Sequence, residues 1–467
     1  MSNLVDTLTA SGGTESAGFL NDIIAQLWPN INVAGGNMIK QVVEPMLESM
    51  LPGPLSSLHF VKLDFGPTPI RLSNVDVHKT TSEGIKLDLD LEWDGKCDFE
   101  LEGKMVPKLG IEHVKLKGRL GHQIGAAQIA FINPPTLELD FTDAANLADF
   151  SIIDKAVRKV ILDIIAGMAV LPNRFLVKLD ASNDYFKTYQ HHLGVVRVTV
   201  GTATGITGPK KSGAKRLLEK LVKDVPDCYC QVKVGAEGEW RTSTVKNKHD
   251  PTWDETHDFL VTDYDQAIVI DVNDDDVGSD DDIGIGATTI KQILMAGGTQ
   301  ELSLVHKGEP TETKLTVHAK FYNLVGDSNG ISASGSQTEG QICGLASVLI
   351  ASVVGLTGQR DDLKPAVKVS WGDKEFVTPV KTYSPGTDIF NPAFDTAFRI
   401  PITGEMISNP PSFKLTLMNG TTQSGSVEVP FASVAGAPGM DLQDQFDVGS
   451  GAAVRAHISL RGLQPAK

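Results

Sequence analysis

The chain is poor in several things that would define a chemistry. It has four cysteines, Cys97, Cys228, Cys230 and Cys343, and none of them shows zinc-binding spacing. Cys228 and Cys230 stand two apart on an expected strand and so point the same way, and the four read as reduced thiols of a cytoplasmic protein. Long apolar runs are missing. The longest uncharged run, "ICGLASVLIASVVGL" (Ile342–Leu356), has 15 residues where a membrane-spanning helix needs roughly 20, so it is expected as a buried strand. Residues 1–17 are small and polar, without the charged-then-apolar order of a signal peptide, and are expected to be flexible. Positive charge is in deficit: the net charge is -16 and no basic domain stands out, which argues against nucleic acid as a partner. Catalytic signatures are absent as well. "GITGPKKSG" lacks the Gly-Lys-Ser/Thr order of a phosphate loop, and no Gly-x-Ser-x-Gly elbow or metal-binding His pair occurs. A hydrolase would have no nucleophile, so the chain is not expected to be an enzyme. His191 and His192 fall at a domain junction and are expected in exposed linker.

What the chain does have is strict alternation. In "GIKLDLDLEWDGKCDFELEG" (84–103) the odd positions carry Ile85, Leu87, Leu89, Leu91, Trp93, Cys97, Phe99 and Leu101, while the even ones are charged. This is a β-ribbon with one dry face and one wet face. An Asp94-Gly95 two-residue turn would oppose Trp93 to Lys96. A three-residue loop, Trp93-Asp94-Gly95, keeps both halves apolar on the same side and predicts the pairs Glu92–Lys96, Leu89–Phe99 and Leu87–Leu101.

Around the ribbon, residues 18–52 predict two helices, the first ending near Pro29 and the second at Pro52-Gly53-Pro54. Further alternating strands follow, then an amphipathic helix, "FSIIDKAVRKVILDIIAGMAV", halted by Pro172. The helices either seal the apolar sheet face into an ordinary core or leave a groove lined by aliphatic side chains, which would suit acyl chains. Residues 193–323 change to short strands with turn signals, the pattern of a β-sandwich. A Gly/Ser-rich stretch, 324–340, reads as a linker, and 341–464 repeats the sandwich style. The repeat is visible in "HDPTWDETHDFLV" against "FNPAFDTAFRIPI".

One segment concentrates carboxylates. "DVNDDDVGSDDDIG" (271–284) holds seven aspartates that repel one another unless a cation neutralises them. Calcium, a hard ion taking six to eight oxygens, is the natural partner. An EF-hand is excluded, because no glycine stands at the sixth position and the flanks are strands.

These residues carry a family resemblance. "AIVIDVNDDDVGSDDDIG", "PDCYCQVKVG" and "KHDPTWDE" resemble the third calcium loop, the first-loop strand and the Asn-Pro-x-Trp corner of a C2 domain. The resemblance assigns Asp227 to the first loop, Asp274 and Asp276 to the Asp-x-Asp of the third, and Asp280 or Asp281 to the last ligand, with Ca2+ as the cofactor. The insertion "GPKKSGAKRLLEKLVKDV" stands where the opening first-loop aspartate belongs. The second sandwich resembles the same family, but its "LMNGTTQSGSVEV" loop has no aspartate, and a calcium-independent role is expected. Residues 18–190, with "FLNDIIAQLWPNINVAGGNMIKQVVEPMLESML" and "FVKLDFGPTPIRLSNVDV", resemble an SMP (synaptotagmin-like, mitochondrial, lipid-binding protein) domain.

SMP followed by tandem C2 is the order of extended synaptotagmins and tricalbins. The resemblance implies an α+β fold: a TULIP-like curled antiparallel sheet wrapped by helices around a hydrophobic groove, then two all-β sandwiches. It implies phospholipid or diacylglycerol-type cargo, homodimerisation through the SMP domain, and peripheral residence at endoplasmic reticulum–plasma membrane contact sites. Those proteins carry a membrane hairpin before the SMP domain, for which Met1–Ser16 offers no apolar segment. Lipid tails are expected against Val61, Leu63, Phe65, Leu87, Leu89, Leu91, Phe99 and Leu101. Lys233, Arg241, Lys246 and Lys248 are expected to face an anionic membrane surface.

Overall fold

A computed structural model describes residues 14–51, 53–79, 85–104, 106–124, 127–142, 150–177, 186, 192–206, 225–275, 281–327, 331, 341–384 and 386–466. It divides into two units: Met1–Asn183 with Lys233–Gly238 and Asp265–Ala267, and the remainder of the chain.

The first unit opens with α1 (Thr14–Met50), a single helix that begins four residues before the expected start. It does not stop at Pro29. Pro29 and Pro45 both lie inside it, on its exposed side, although each lacks the N–H that would continue the helical ladder. Polar side chains of the helix instead fasten it to the sheet. Asn21 donates to the Leu72 carbonyl at 2.9 Å and accepts from the Leu72 N–H at 2.8 Å. Asn32 accepts from the Phe65 N–H at 3.0 Å, Trp28 donates to the Gly66 carbonyl at 2.9 Å, and Glu44 accepts from the Phe60 N–H at 2.8 Å. Gly66 is required where it stands: φ is +71° and a Cβ would lie 2.0 Å from the Lys96 carbonyl oxygen.

The sheet comprises β1 (His59–Asp64), β2 (Arg71–Lys79), β3 (Ile85–Gly103), β4 (Val106–Ile124), β5 (Ala127–Phe131), β6 (Thr136–Thr142) and β7 (Phe175–Val177), with α2 (Phe150–Ala169) after β6. Its order is β1-β3-β4-β5-β7, with β2 also on β3 and β6 also on β4. The ribbon is not a hairpin. β3 runs unbroken for 19 residues, roughly 60 Å at a strand's rise, and the turn comes after Gly103. Asp94 pairs with Lys115 and Gly95 with Val114, so the expected Leu89–Phe99 and Leu87–Leu101 pairs are replaced by Leu89–Leu120 and Leu101–Leu109. Gly95 serves the Trp93 ring rather than a turn, since a Cβ there would meet the indole nitrogen at 2.7 Å. The register slips between Lys96 and Phe99, and β4's inward positions pass from even (Val114, Leu120) to odd (Ile111, Leu109). The dry face thereby survives the whole length. On the wet face, Lys117–Glu92 (2.6 Å), Arg119–Asp90 (3.0 Å) and His113–Asp94 (2.7 Å) pair charges across strands.

In the second unit the first sandwich comprises β8 (Gly194–Thr204), β9 (Cys228–Val234), β10 (Gly238–Arg241), β11 (Thr252–Val261), β12 (Ala267–Asp274), β13 (Asp281–Thr289), α3 (Ile290–Met295), β14 (Thr299–His306) and β15 (Glu309–Val325). The second comprises β16 (Ile342–Val354), β17 (Pro365–Trp371), β18 (Lys374–Val377), β19 (Ala393–Thr403), α4 (Gly404–Ser408), β20 (Phe413–Asn419), β21 (Thr422–Val429), α5 (Phe431–Ala435), β22 (Asp441–Gly449) and β23 (Ala452–Pro465). The long uncharged run forms β16, buried between β19 and β23. His192 is buried at 6% exposure, against the expectation of exposed linker; His191 lies outside the described residues.

The internal repeat is also a repeat of hydrogen bonds. Ala203 N–H donates to the Pro251 carbonyl and Val353 N–H to Pro392, each at 3.0 Å. Asp254 and Asp395 then take the same left-handed turn, φ 51° and 47°. The two sandwiches join edge to edge where β15 pairs with β23, Leu324 opposite Leu463. Asp258 sits beside this seam with its side chain 1% exposed. It binds Arg197 through both oxygens (2.7 and 2.9 Å) and accepts from the Ile342 N–H at 3.0 Å.

Two outcomes follow. Asp258→Ala strands a buried guanidinium and a buried N–H, and is expected to cost about 3 kcal/mol, read as a lower thermal midpoint of the tandem in calorimetry. All four cysteines are buried and free, and burial pushes the Cys97 and Cys228 thiols up to about 12 and Cys343 to about 11. Because the thiolate is the reactive form, a thiol reagent at neutral pH should titrate none in the native chain and four after denaturation.

Candidate functional site

Between α1, α2 and the dry face of the sheet lies a cavity of about 180 Å³ whose lining is entirely aliphatic or aromatic. The helices contribute Ile39, Val43 and Leu47 from one side and Val157, Ile161 and Ile165 from the other. The sheet contributes Phe60, Leu63, Trp93, Leu101, Ile111 and Leu139, among others. Four aromatic rings, Trp28, Phe65, Trp93 and Phe99, meet edge-on or tilted at one end of it with centroids 5.2 to 6.5 Å apart. Leu63, Phe65, Val43 and Ile161 remain half-buried, so solvent reaches the lining from the side.

Of the side chains expected in the groove, Leu63, Phe65, Phe99 and Leu101 line this cavity. Leu87, Leu89 and Leu91 belong to a neighbouring apolar cluster with Val75, Leu120 and Phe131, which meets the first at Leu116. Val61 is turned outward, 40% exposed. The register slips between Phe60 and Lys62, so Phe60 takes the inward place that simple alternation reserves for Val61. The helical liners were visible as a four-residue apolar spacing, but nothing in that spacing distinguishes a cavity wall from a sealed core.

The acidic end of the first sandwich lies where β9 begins and β12 ends. The Asp227 N–H donates to Asp274 Oδ1 at 2.8 Å, and the Asp275 N–H returns to the Asp227 carbonyl at 2.9 Å. Asp274 is buried, and Asp227 Oδ1 accepts from the Asn247 N–H at 2.7 Å. Desolvation first, and then these two carboxylates, hold the neighbouring Cys228 thiol high. Asp276 and Asp280 lie outside the described residues, and Asp281 opens β13, half-buried. Among the described residues no group of three or more His, Cys, Asp or Glu converges as a metal site. The strand ends that carry Asp227 and Asp274 are bonded to each other, and carboxylate oxygens are the donors a hard oxygen-seeking cation takes.

Lys233, Lys246 and Lys248 are exposed. Arg241 is committed otherwise. Its guanidinium lies 3.6 Å from the centre of the Tyr229 ring and donates to Asp275 at 3.1 Å, so it is no unencumbered membrane cation.

The second sandwich rebuilds the same corner with different charges. The Lys364 N–H donates to Asn419 Oδ1 at 2.6 Å, and the Gly420 N–H returns to the Lys364 carbonyl at 2.8 Å. Lys364 and Asn419 therefore stand where the first sandwich has Asp227 and Asp274. This equivalence is not legible in the sequence, because the loops between the strands differ in length.

Comparison with known proteins agrees with this architecture. A family model of the Synaptotagmin-like mitochondrial-lipid-binding domain matches residues 13–180, and one of the C2 domain matches residues 194–303. The chain is 28% identical over 298 residues to extended synaptotagmin-1 of Pongo abelii, covering 61% of this chain and 26% of that protein. It is 25% identical over 339 residues to extended synaptotagmin-3 of Mus musculus, covering 69% and 36%. The chain thus spans about a quarter to a third of the length of these curated relatives. A solved structure of extended synaptotagmin-2, comprising its SMP domain and two C2 domains, superposes with a TM-score of 0.63 at 22% identity, covering 96% of this chain and 99% of that one. With an SMP lipid-binding domain leading into C2 sandwiches, the chain belongs with the extended-synaptotagmin-like proteins.

Proposed function

We propose that the chain carries glycerolipids between apposed membranes, and that calcium at the first sandwich docks it to an anionic surface. The observation that carries the first part is the cavity with no polar lining, walled by two helices on the dry face of a long sheet. An apolar lining offers water no hydrogen-bond partner, and an enclosed apolar cavity of roughly 150 Å³ admits benzene. Each methylene moved from water into it contributes about 0.8 kcal/mol, so acyl chains are the fitting guests. Nothing polar in the lining addresses a headgroup, and weak headgroup selectivity follows.

For docking, Asp227 and Asp274 would hold calcium together with Asp276, Asp280 and Asp281, and the bound ion would bridge to anionic headgroups. Without it the same carboxylates repel an acidic leaflet, which makes the switch electrostatic. Exposed Lys246 and Lys248 add attraction of about 1 kcal/mol each when they face the surface. The second sandwich, with Lys364 and Asn419 at the equivalent corner, takes no part in calcium binding. Homodimerisation through the SMP domain and residence at membrane contact sites are carried over from the resemblance alone. The second reading is a tether in which the first unit dimerises and carries nothing; it shares every feature of the sandwiches.

Fluorescent-lipid dequenching between donor and anionic acceptor vesicles separates the two. Val43→Trp together with Ile161→Trp fills the cavity from both helices without adding polarity. Dequenching is expected to fall at least about tenfold while vesicle clustering by light scattering persists. Clustering without dequenching by the parent chain would make the tether the better reading, and dequenching retained by the double variant would overturn the cavity as the lipid site.

Asp274→Asn removes one charge of the calcium pair while keeping the acceptor for the Asp227 N–H, as Asn419 does in the second sandwich. Calcium-dependent vesicle clustering should be lost, or its calcium requirement raised by about tenfold or more, with the thermal midpoint in chelator unchanged or higher.

A further inference from the structure

Resting on the calcium reading above, we infer that Arg241 is a built-in counter-cation of the calcium end: by holding Asp275, it sets the calcium affinity below what the aspartate count would give. Asp275 is the middle one of three consecutive aspartates. Its backbone N–H donates to the Asp227 carbonyl at 2.9 Å, and the residue before it, Asp274, is buried. One oxygen, Oδ2, accepts both from Arg241 at 3.1 Å and from Thr244 Oγ1 at 2.9 Å. Arg241 in turn is held in place by the Tyr229 ring, 3.6 Å below its guanidinium. Tyr229 is 7% exposed, so this support is part of the sandwich rather than a loose surface contact.

The second sandwich serves as an internal control. The Thr242 N–H donates to the Cys230 carbonyl and Thr242 Oγ1 accepts from the Cys230 N–H; Thr378 makes the same two bonds with Val367. This register places Val377 opposite Arg241, Val380 opposite Thr244 and Ala366 opposite Tyr229. The corner bonds already place Gly420 opposite Asp275. All four members of the cluster are therefore replaced where the calcium pair is replaced, and Val377 and Val380 are each 53% exposed. A general structural brace would be wanted in both sandwiches. A counter-charge is wanted only where carboxylates crowd, and this one occurs beside Asp227 and Asp274.

The physical consequence has a sign. Without calcium, Arg241 relieves repulsion between Asp275 and its neighbours. With calcium, the same positive charge opposes the incoming ion. Removing it should destabilise the calcium-free chain and tighten calcium binding together, whereas loss of a mere brace would weaken binding.

The test is a charge cycle on the full chain, titrated with calcium chloride by isothermal calorimetry and melted in chelator. Arg241→Gln should tighten calcium binding about twofold to fivefold, a screened interaction at a few ångströms beyond contact, and lower the melting midpoint in chelator. Asp275→Asn should weaken binding by a similar factor, and the double variant should return to within about twofold of the parent. Weaker or unchanged binding in Arg241→Gln overturns the proposal. So does a loss in Asp275→Asn of roughly a hundredfold that the double variant does not restore, because Asp275 would then be a ligand. No calcium heat from the parent chain would remove the calcium reading itself and the proposal with it.

Discussion

The first unit depends on how a helix is held against the unpaired backbone of two sheet edges. β1 and β2 both pair with β3, and each has a free edge of N–H and carbonyl groups that must find partners. Asn21, Trp28, Asn32 and Glu44 of α1 supply partners at Leu72 in β2, at Phe60 in β1, and at Phe65 and Gly66 just beyond β1. The fastening acts together with the packing of Trp28 and Leu47 into the core beneath the helix. Apolar liners such as Ile39 and Val43 can then face the sheet without being driven into it, and an apolar space persists between them. The same fastening holds α1 in one piece through Pro29, whose missing N–H would otherwise favour a break.

Charge follows a complementary logic. On the wet face of the sheet several carboxylates have cross-strand partners, Arg119 between Asp76 and Asp90 and Lys117 beside Glu92. Exposed pairs of this kind contribute little to stability, about 0–1 kcal/mol each. At the acidic end of the first sandwich, Arg241 offsets only part of the aspartate charge.

The tandem sandwiches separate scaffold from chemistry. Both corners keep the same backbone bonds, Asp227 to Asp274 and Lys364 to Asn419, so the geometry does not itself require a metal. What differs is the charge placed on that geometry. Asparagine accepts the same hydrogen bond that aspartate does, so one copy can lose its carboxylates at no cost in fold while the other keeps them.

The alternation of 84–103 was enough to predict a strand with one dry face, because side chains in extended backbone must alternate whatever surrounds them. The apolar run of β16 and the repeat were legible for the same reason: composition and spacing act locally. The turn at Asp94-Gly95 was not, because Gly95 answers to the Trp93 ring, and a glycine chosen for close approach looks the same as one chosen for a turn. Nor was the exchange of Val61 for Phe60, since one slipped residue in a neighbouring register reverses a strand's faces. The commitment of Arg241 to Asp275, 34 residues away, also escaped the sequence. A positive charge near an acidic loop reads as a free one until the partner strand is in place. Periodicity tells which side chains avoid water. Only the tertiary structure decided what they face, because that depends on register and on bonds between segments distant along the chain.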